Sequence, residues 1–336
     1  MESIEQADLS ALNTLSLPSI ANLLVNIYTV DELVAVCKKN SRNIEDFLIL
    51  GGGSNLILPA RVNRVVYRYL GASVQYQQIG SGDVLVKADA GVLWDDLVAD
   101  LVSQNLHGIE NLSLIPGTVG AAPVQNIGAF GVELADVLDS VEVLNFNTLT
   151  VEVLSKEQCQ FAYRDSVFKQ NPGCYFITNV RLKLSQTPGF TLNYGDLKAL
   201  NNKKDLVVQE VRDKVIALRS AKLPDPKVLP NAGSFFKNPL VSADKAQQLK
   251  LKYPELVAYP QRDGQVKLAA GWLIEHVNWK GKRLGSVGMH AKQALVLVNY
   301  KSASQSEVLA LAAQVQSSVS AKYDVSLEIE PITIAY

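Results

Sequence analysis

Ser234 lies in the run Asn231-Ala232-Gly233-Ser234-Phe235-Phe236, between a glycine and two phenylalanines in a stretch rich in Asn, Lys and Gly. On residue type alone this is a turn leading into a strand. Arg164 stands between Tyr163 and Asp165, where a guanidinium is more often paired structurally than reactive. Glu328 and Glu330 are two apart in a strand-like terminal segment, so they share a face, and such a face is ordinarily solvated. His107, His276 and His290 lack a partner serine, cysteine or carboxylate signature. The absence of a G-x-S-x-G elbow and of H-E-x-x-H leaves a hydrolase triad and a zinc peptidase unsupported. Cys37, Cys159 and Cys174 are far apart and read as free thiols of a reducing cytoplasm, in no metal spacing.

These groups must be positioned by something, and the stretch Asn111–Glu133, NLSLIPGTVGAAPVQNIGAFGVE, is the centre of the chain. It holds four glycines and a single charged residue, Glu133. It is too rich in glycine for a stable helix and too irregular for a strand, yet too apolar for a solvated loop. Buried irregular backbone leaves amide N–H groups in need of partners, and glycine lets such backbone approach a ligand closely. The stretch therefore reads either as a wrap around a large phosphate-bearing cofactor or as a tightly packed crossover. A second candidate phosphate cradle is Gly51-Gly52-Gly53-Ser54-Asn55, a turn between the apolar runs 47–50 and 56–58. Neither segment matches the dinucleotide fingerprint or a P-loop.

Around these segments, a capping box at Thr29–Glu32 starts a helix with Leu33, Val36 and Cys37 inward. Residues 83–89 and 176–184 read as strands, and 140–154 as two strands about Asn145–Leu149. Trp94, Leu97, Val98 and Leu101 share a helical face. Two prolines in the segment 221–227 suggest a rigid linker at a domain boundary. Helices are expected over 242–252 and 268–277. A capping box at Ser304–Glu307 opens a further helix with Val308, Leu311, Ala312, Val315 and Val319 on one face. The class is α+β. With 336 residues, 48% of them hydrophobic, 19% charged and a net charge of -1, the chain has enough apolar residues for a core and no basic run for nucleic acid. No apolar run approaches the ~18 residues that span a bilayer, and the acidic, polar start is unlike a secretory signal. The residues alone stop at an enzyme with a large cofactor.

The motifs LGGGSNLIL, ENLSLIPGTVGAAPVQNIGAFGVEL, YRDSVFK, LNYGDL, KLPDPKV, NAGSFFKNP, VKLAAGWLIE and QALVLVN run in order nearly end to end. In these the chain resembles the UDP-N-acetylenolpyruvoylglucosamine reductases, of the longer, type I form. The resemblance implies an FAD-binding module of vanillyl-alcohol-oxidase type in two parts, 1–70 and 71–220, the second joined by a C-terminal strand at 322–336. A separate α+β substrate-binding domain would occupy 221–321. Gly51, Gly52, Gly53, Ser54 and Asn55 would contact non-covalently bound FAD. So would Pro116, Gly117, Thr118, Val119, Gly120, Gln125, Asn126, Gly128, Ala129 and Gly131. Arg164, Ser234 and Glu330 match the family's catalytic arginine, serine and glutamate. Tyr194, Lys222, Asn238 and Gln293 match its contacts to the substrate nucleotide.

The implied reaction is reduction of UDP-N-acetylglucosamine enolpyruvate by NADPH through the flavin, in a cytoplasmic monomer. KLPDPKV and NAGSFFKNP argue against an oxidase on the same module; Ser234 and Arg164 argue against a binding protein without activity. One departure stands out. Where the family has Glu-Val-Arg, this chain has Glu330-Pro331-Ile332, so the flavin contact of that arginine is missing or made elsewhere.

Overall fold

Alternating apolar side chains build the largest sheet. In Asp83–Asp89, Val84, Val86 and Ala88 are buried while the residues between them are half-buried, the pattern of a strand with one face on a core. The structure is a computed structural model that describes residues 1–39, 47–261 and 263–335. Its contacts group the chain into two units, Met1–Ala7 with Ala21–Gly52 and Asn63–Ala221, and Asp8–Ile20 with Gly53–Val62 and Lys222–Tyr336.

In the first unit a five-stranded antiparallel sheet runs in the order Thr150–Ser155, Leu138–Asn145, Tyr175–Ser185, Asp83–Asp89, Val74–Ile79. A four-stranded sheet orders Glu2–Asp8, Ile20–Ile27, Arg61–Tyr69 and Phe47–Ile49, the last two parallel. Helix Trp94–Ser103 buries Trp94, Leu97, Val98 and Leu101 as its spacing predicts. The helix after Thr29, Val30–Lys39, is capped somewhat differently from a closed box. Thr29 Oγ1 accepts from Glu32 N, but the Glu32 carboxylate reaches Tyr28 N. One core joins these elements, from Val25 through Trp94 to Leu184.

Helix Val208–Lys222, which the sequence reading passed over, turns Val208, Val211, Arg212 and Val215 inward. It runs to Lys222, so the expected linker at 221–227 begins two residues later than its prolines suggest. Pro224 then suits a helix end.

The second unit has its own core, including Phe235, Phe236, Trp279, Leu311 and Val315. An antiparallel sheet orders Asn231–Ser234, Val296–Asn299, Val287–Met289 and Arg283–Leu284. Helix Gln305–Tyr323 opens with the predicted capping box: Ser304 N donates to Glu307 Oε2 at 2.8 Å, and Ser304 Oγ accepts from Glu307 N. Helices Ala243–Lys252 and Ala270–Glu275 fall where expected.

Residues 322–336 group with this unit. Ile332–Thr333 pairs in parallel with Leu56–Ile57, and the Gln305 side chain donates to the carbonyls of Ile57 and Ile334, both at 2.8 Å. Among the described residues, no helix is long and apolar enough to cross a membrane.

Candidate active site

Expected site residues occur in both units. In the first, the central stretch is buried to half-buried, mostly irregular backbone, with 3-10 segments at Glu110–Leu112 and Val119–Gln125 and a short pairing of Gly128–Ala129 with Val132–Glu133. Its amides are spent partly on the neighbouring strand end: Val119 N donates to Val92 O and Gly120 N to Ala90 O, while Trp94 N donates to Gly117 O. Two of the glycines are explained by packing within the protein. A Cβ on Gly52 would lie 2.8 Å from the Gly117 Cα, so the two glycine-rich segments meet backbone to backbone. Gly53, at φ +61°, would put a Cβ into the Leu12 carbonyl. At these positions glycine lets two backbone segments pack directly against each other.

Arg164 sits at the corner of a tight turn. Ala162 and Asp165 exchange backbone hydrogen bonds, both 3.1 Å, and Arg164 itself adopts φ +55°. A left-handed non-glycine residue is uncommon and concentrates at functional sites. The guanidinium is aimed along the central stretch: Nη2 donates to Gly128 O at 2.8 Å and Nη1 reaches Asn126 O at 3.5 Å. The next residues fasten this turn. Ser166 caps the short helix Val167–Gln170 and donates through its hydroxyl to Val124 O at 2.6 Å. Asn126, buried at φ +44°, donates to Glu133 and to Ala162 O, and accepts from Ala135 N. YRDS and the glycine-rich stretch are thus one hydrogen-bonded body.

Tyr194 is exposed, and its ring meets Phe130 edge-on at 6.0 Å between centroids. Asn111, buried at the start of the central stretch, donates to Phe130 O and Thr191 O, so it holds the Tyr194 segment to the stretch.

Two arginines of helix Val208–Lys222 that the sequence does not single out belong to the same unit. Arg212, buried, donates to both oxygens of Asp95 at 2.7 and 3.1 Å, and Asp95 Oδ1 also accepts from Leu114 N at 2.6 Å. Burial alone would raise the Asp95 carboxyl, but the hydrogen bonds from Arg212 and Leu114 outweigh it and hold it below the ordinary range. Arg219 is two helical turns beyond Arg212, and its Nε is buried without a hydrogen-bond partner. Helical spacing with Val208, Val211 and Val215 was the available signal.

In the second unit Ser234 ends its strand, paired with Val296, and is half-buried. Asn231 shapes the approach: its amide donates to Pro224 O and Leu229 O, and its carbonyl oxygen accepts from Gly233 N. The C-terminal segment runs antiparallel beside this one. Lys237 N donates to Glu328 O, Phe236 bridges Ile329, and Glu330 N donates to Phe235 O at 2.9 Å. Glu330 is therefore beside the residue after Ser234. Glu328, largely exposed, is ion-paired with Lys237. Asn238 and Gln293 each reach the start of helix Ala270–Glu275: Asn238 Oδ1 accepts from Ala270 N at 2.9 Å, and Gln293 Oε1 lies 3.2 Å from where a Gly271 Cβ would be. Lys222, the last residue of its helix, is exposed. Pro331 precedes the short last strand, so the ladder loses nothing to it.

Residues 225–334 match the family model described as UDP-N-acetylenolpyruvoylglucosamine reductase, C-terminal domain, and residues 21–153 match an FAD binding domain. The chain is 48% identical over 98% of its length to the UDP-N-acetylenolpyruvoylglucosamine reductase of Alcanivorax borkumensis, covering 96% of that protein. It is 44% identical to the Pseudomonas aeruginosa reductase over 98% of each chain. The crystal structure of the Thermus caldophilus reductase superposes with a TM-score of 0.70 at 25% identity, over 99% of this chain and 98% of that one.

The first unit fits an FAD in kind. Its central stretch carries one charged residue and little regular structure, and in the same unit the Nε of the half-buried Arg219 is buried without a hydrogen-bond partner. The fold is α+β with an FAD-binding domain, and the chain belongs to the UDP-N-acetylenolpyruvoylglucosamine reductase family.

Proposed function

We propose that this chain reduces UDP-N-acetylglucosamine enolpyruvate to UDP-N-acetylmuramate for peptidoglycan synthesis, with NADPH as hydride donor and FAD bound non-covalently. The first unit is the FAD module and the second the substrate-binding part, in a cytoplasmic monomer. Bound FAD supplies the hydride relay from NADPH to the terminal vinyl carbon of the substrate. The residues Gly51 to Asn55 and Pro116 to Gly131 hold that cofactor.

The chain's own groups manage charge and protons. Adding hydride to the vinyl carbon leaves enolate character on the adjacent carbon and its carboxylate, and a fixed cation is the direct way to stabilise it. Arg164 is assigned that role; its turn geometry keeps it from reorganising when charge develops. Ser234 delivers the proton to C2. A hydroxyl is a weak acid, but a carbanion is a base strong enough to take its proton. Glu330 positions or shares that proton. Tyr194, Lys222, Asn238 and Gln293 hold the nucleotide diphosphate.

The observation that supports this most directly is the 2.9 Å bond from Glu330 N to Phe235 O, which aligns the glutamate with the serine segment. The test is spectroscopic. Anaerobic NADPH should bleach the flavin of the purified holoprotein, and the enolpyruvyl sugar nucleotide should restore it. Bleaching without recovery would assign another acceptor, and no bleaching would end the reading.

A further inference from the structure

Arg164 occupies a backbone position that its residue type does not favour. Ala162 and Asp165 exchange backbone hydrogen bonds, so Tyr163 and Arg164 are the two central residues of a tight turn. Arg164, the second of them, has a positive φ of +55°. Glycine or asparagine usually fills such a place, because a Cβ there crowds the carbonyl oxygen that follows. A strained residue of this kind persists only where its surroundings hold it.

Those surroundings come from the residues that follow, up to Gln170. Ser166 caps the short helix Val167–Gln170, and the last two residues of that helix reach back to the turn. Lys169 Nζ donates to the Arg164 carbonyl at 2.9 Å, and Gln170 Nε2 donates to Asp165 Oδ2 at 2.8 Å. Asp165 Oδ1 accepts from Ser166 N at 2.9 Å, which seats the carboxylate between turn and helix. Of these bonds, that of Lys169 is the one that ends on Arg164 itself. It runs from an ammonium to a carbonyl, and such a charge-assisted bond is stronger than a neutral one. Both residues are half-buried, where water competes less for the donor.

Arg164 is thereby gripped at both ends. Lys169 holds its peptide, and the guanidinium donates to Gly128 O at 2.8 Å. Losing the left-handed φ would redirect the Cα–Cβ bond and the guanidinium that it carries. The bond to Lys169 opposes this by fixing the peptide group that follows the Cα.

We propose that Lys169 is a positioning residue of the reduction: its ammonium clamps the strained turn, so that Arg164 meets the developing negative charge already oriented. A preorganised charge stabilises a transition state without having to move as the charge develops. This rests on the reductase reading, in which Arg164 serves the second half-reaction, so the parent protein is run alongside. A parent that does not bleach and recover faults that reading and removes the step that Lys169 would serve. Failure confined to the variants faults this proposal alone.

The experiment uses the FAD-loaded full chain with Lys169→Met, which removes the donor and keeps a long side chain. Arg164→Ala and the double variant complete the set. Stopped-flow absorbance follows bleaching by NADPH, then recovery at saturating enolpyruvyl sugar nucleotide. Lys169→Met should slow recovery at least tenfold and leave bleaching within twofold of the parent. The double variant then decides between a role through Arg164 and a general structural one. With no guanidinium left to aim, adding Lys169→Met to Arg164→Ala should slow recovery by no more than a further twofold.

Recovery within twofold of the parent in Lys169→Met would overturn the proposal. So would equal slowing of both half-reactions, a full additional loss in the double variant, or an Arg164→Ala that recovers at the parent's rate. Should Lys169→Met not fold, Lys169→Gln takes its place under the same thresholds. A chain that folds with neither would make Lys169 a folding residue, and that too would overturn the proposal.

Discussion

The side-chain amide of Asn111 donates to the Thr191 carbonyl at 2.8 Å, across 80 residues of sequence. The same nitrogen donates to Phe130 O at 2.9 Å, and His107 stacks edge-on against Phe190 at 5.3 Å. The segment leading to Tyr194 is thereby tied at two points to the start of the central stretch. Asn111→Leu keeps the size and removes the donor to two part-buried carbonyls, a cost of about 1 kcal/mol. With Tyr194 as a substrate contact, the KM for the enolpyruvyl sugar should rise several-fold while flavin reduction by NADPH keeps its rate. Stopped-flow separation of the half-reactions checks this, and an equal loss in both would mean that Asn111 only supports folding.

Ser234→Ala should divide the half-reactions more sharply. The strand pairing Ser234 with Val296 depends on backbone, so the fold tolerates the change. Removing the only assigned donor to C2 should slow recovery of the oxidised flavin by orders of magnitude and leave bleaching intact. Turnover within a few-fold of the parent would remove Ser234 from the mechanism.

Local signals were the readable ones. The Ser304 capping box and its apolar face are fixed by near neighbours, and so they match the structure residue for residue. The central stretch was readable as irregular and buried because composition alone forbids the alternatives. The reason for its glycines was not. Gly52 faces Gly117 across 65 positions, and no local pattern reports such a meeting. Arg212 was passed over because arginines on a helix ordinarily face water; its spacing from Val208 and Val215 hints at the inward face, and its partner Asp95, 117 residues away, explains it. The membership of 8–20 and 53–62 in the second unit was hidden in the same way. It rests on long-range bonds such as Asn299 Nδ2 to Leu15 O.

Gly52→Ala tests the backbone contact. The added methyl would sit 2.8 Å from the Gly117 Cα and 3.2 Å from its carbonyl carbon, and neither can move as a side chain would. Overpacking of this kind costs about 1–3 kcal/mol. Since both segments are assigned to FAD, the variant should also release the cofactor more readily. Urea unfolding and FAD retention on gel filtration measure the two effects, and a variant matching its parent in both would show that the segments can part without penalty.

The ion pair of Arg212 with Asp95 should carry an acid-dependent share of stability. The Asp95 carboxyl is held below its ordinary value of 3.8 in the folded protein, despite burial, by Arg212 and Leu114 N. A depressed carboxyl means that the unfolded chain binds the proton more readily, so stability rises with pH between the folded and unfolded values. The contribution is complete above the unfolded value and disappears as pH falls through the folded one. Asp95→Asn removes the charge under a nearly buried arginine, and charge-assisted hydrogen bonds of this kind contribute about 1.5–3 kcal/mol. The variant should therefore trail its parent by roughly that amount at pH 7. The gap should shrink below pH 4, where the carboxyl of the unfolded parent chain takes up its proton while the folded one stays ionised. Urea midpoints at pH 7, 5 and 3 give the comparison: the gap holds from 7 to 5 and narrows by 3. A gap of the same size at all three values would mean that the carboxylate's charge contributes nothing and that only the shape of the side chain matters.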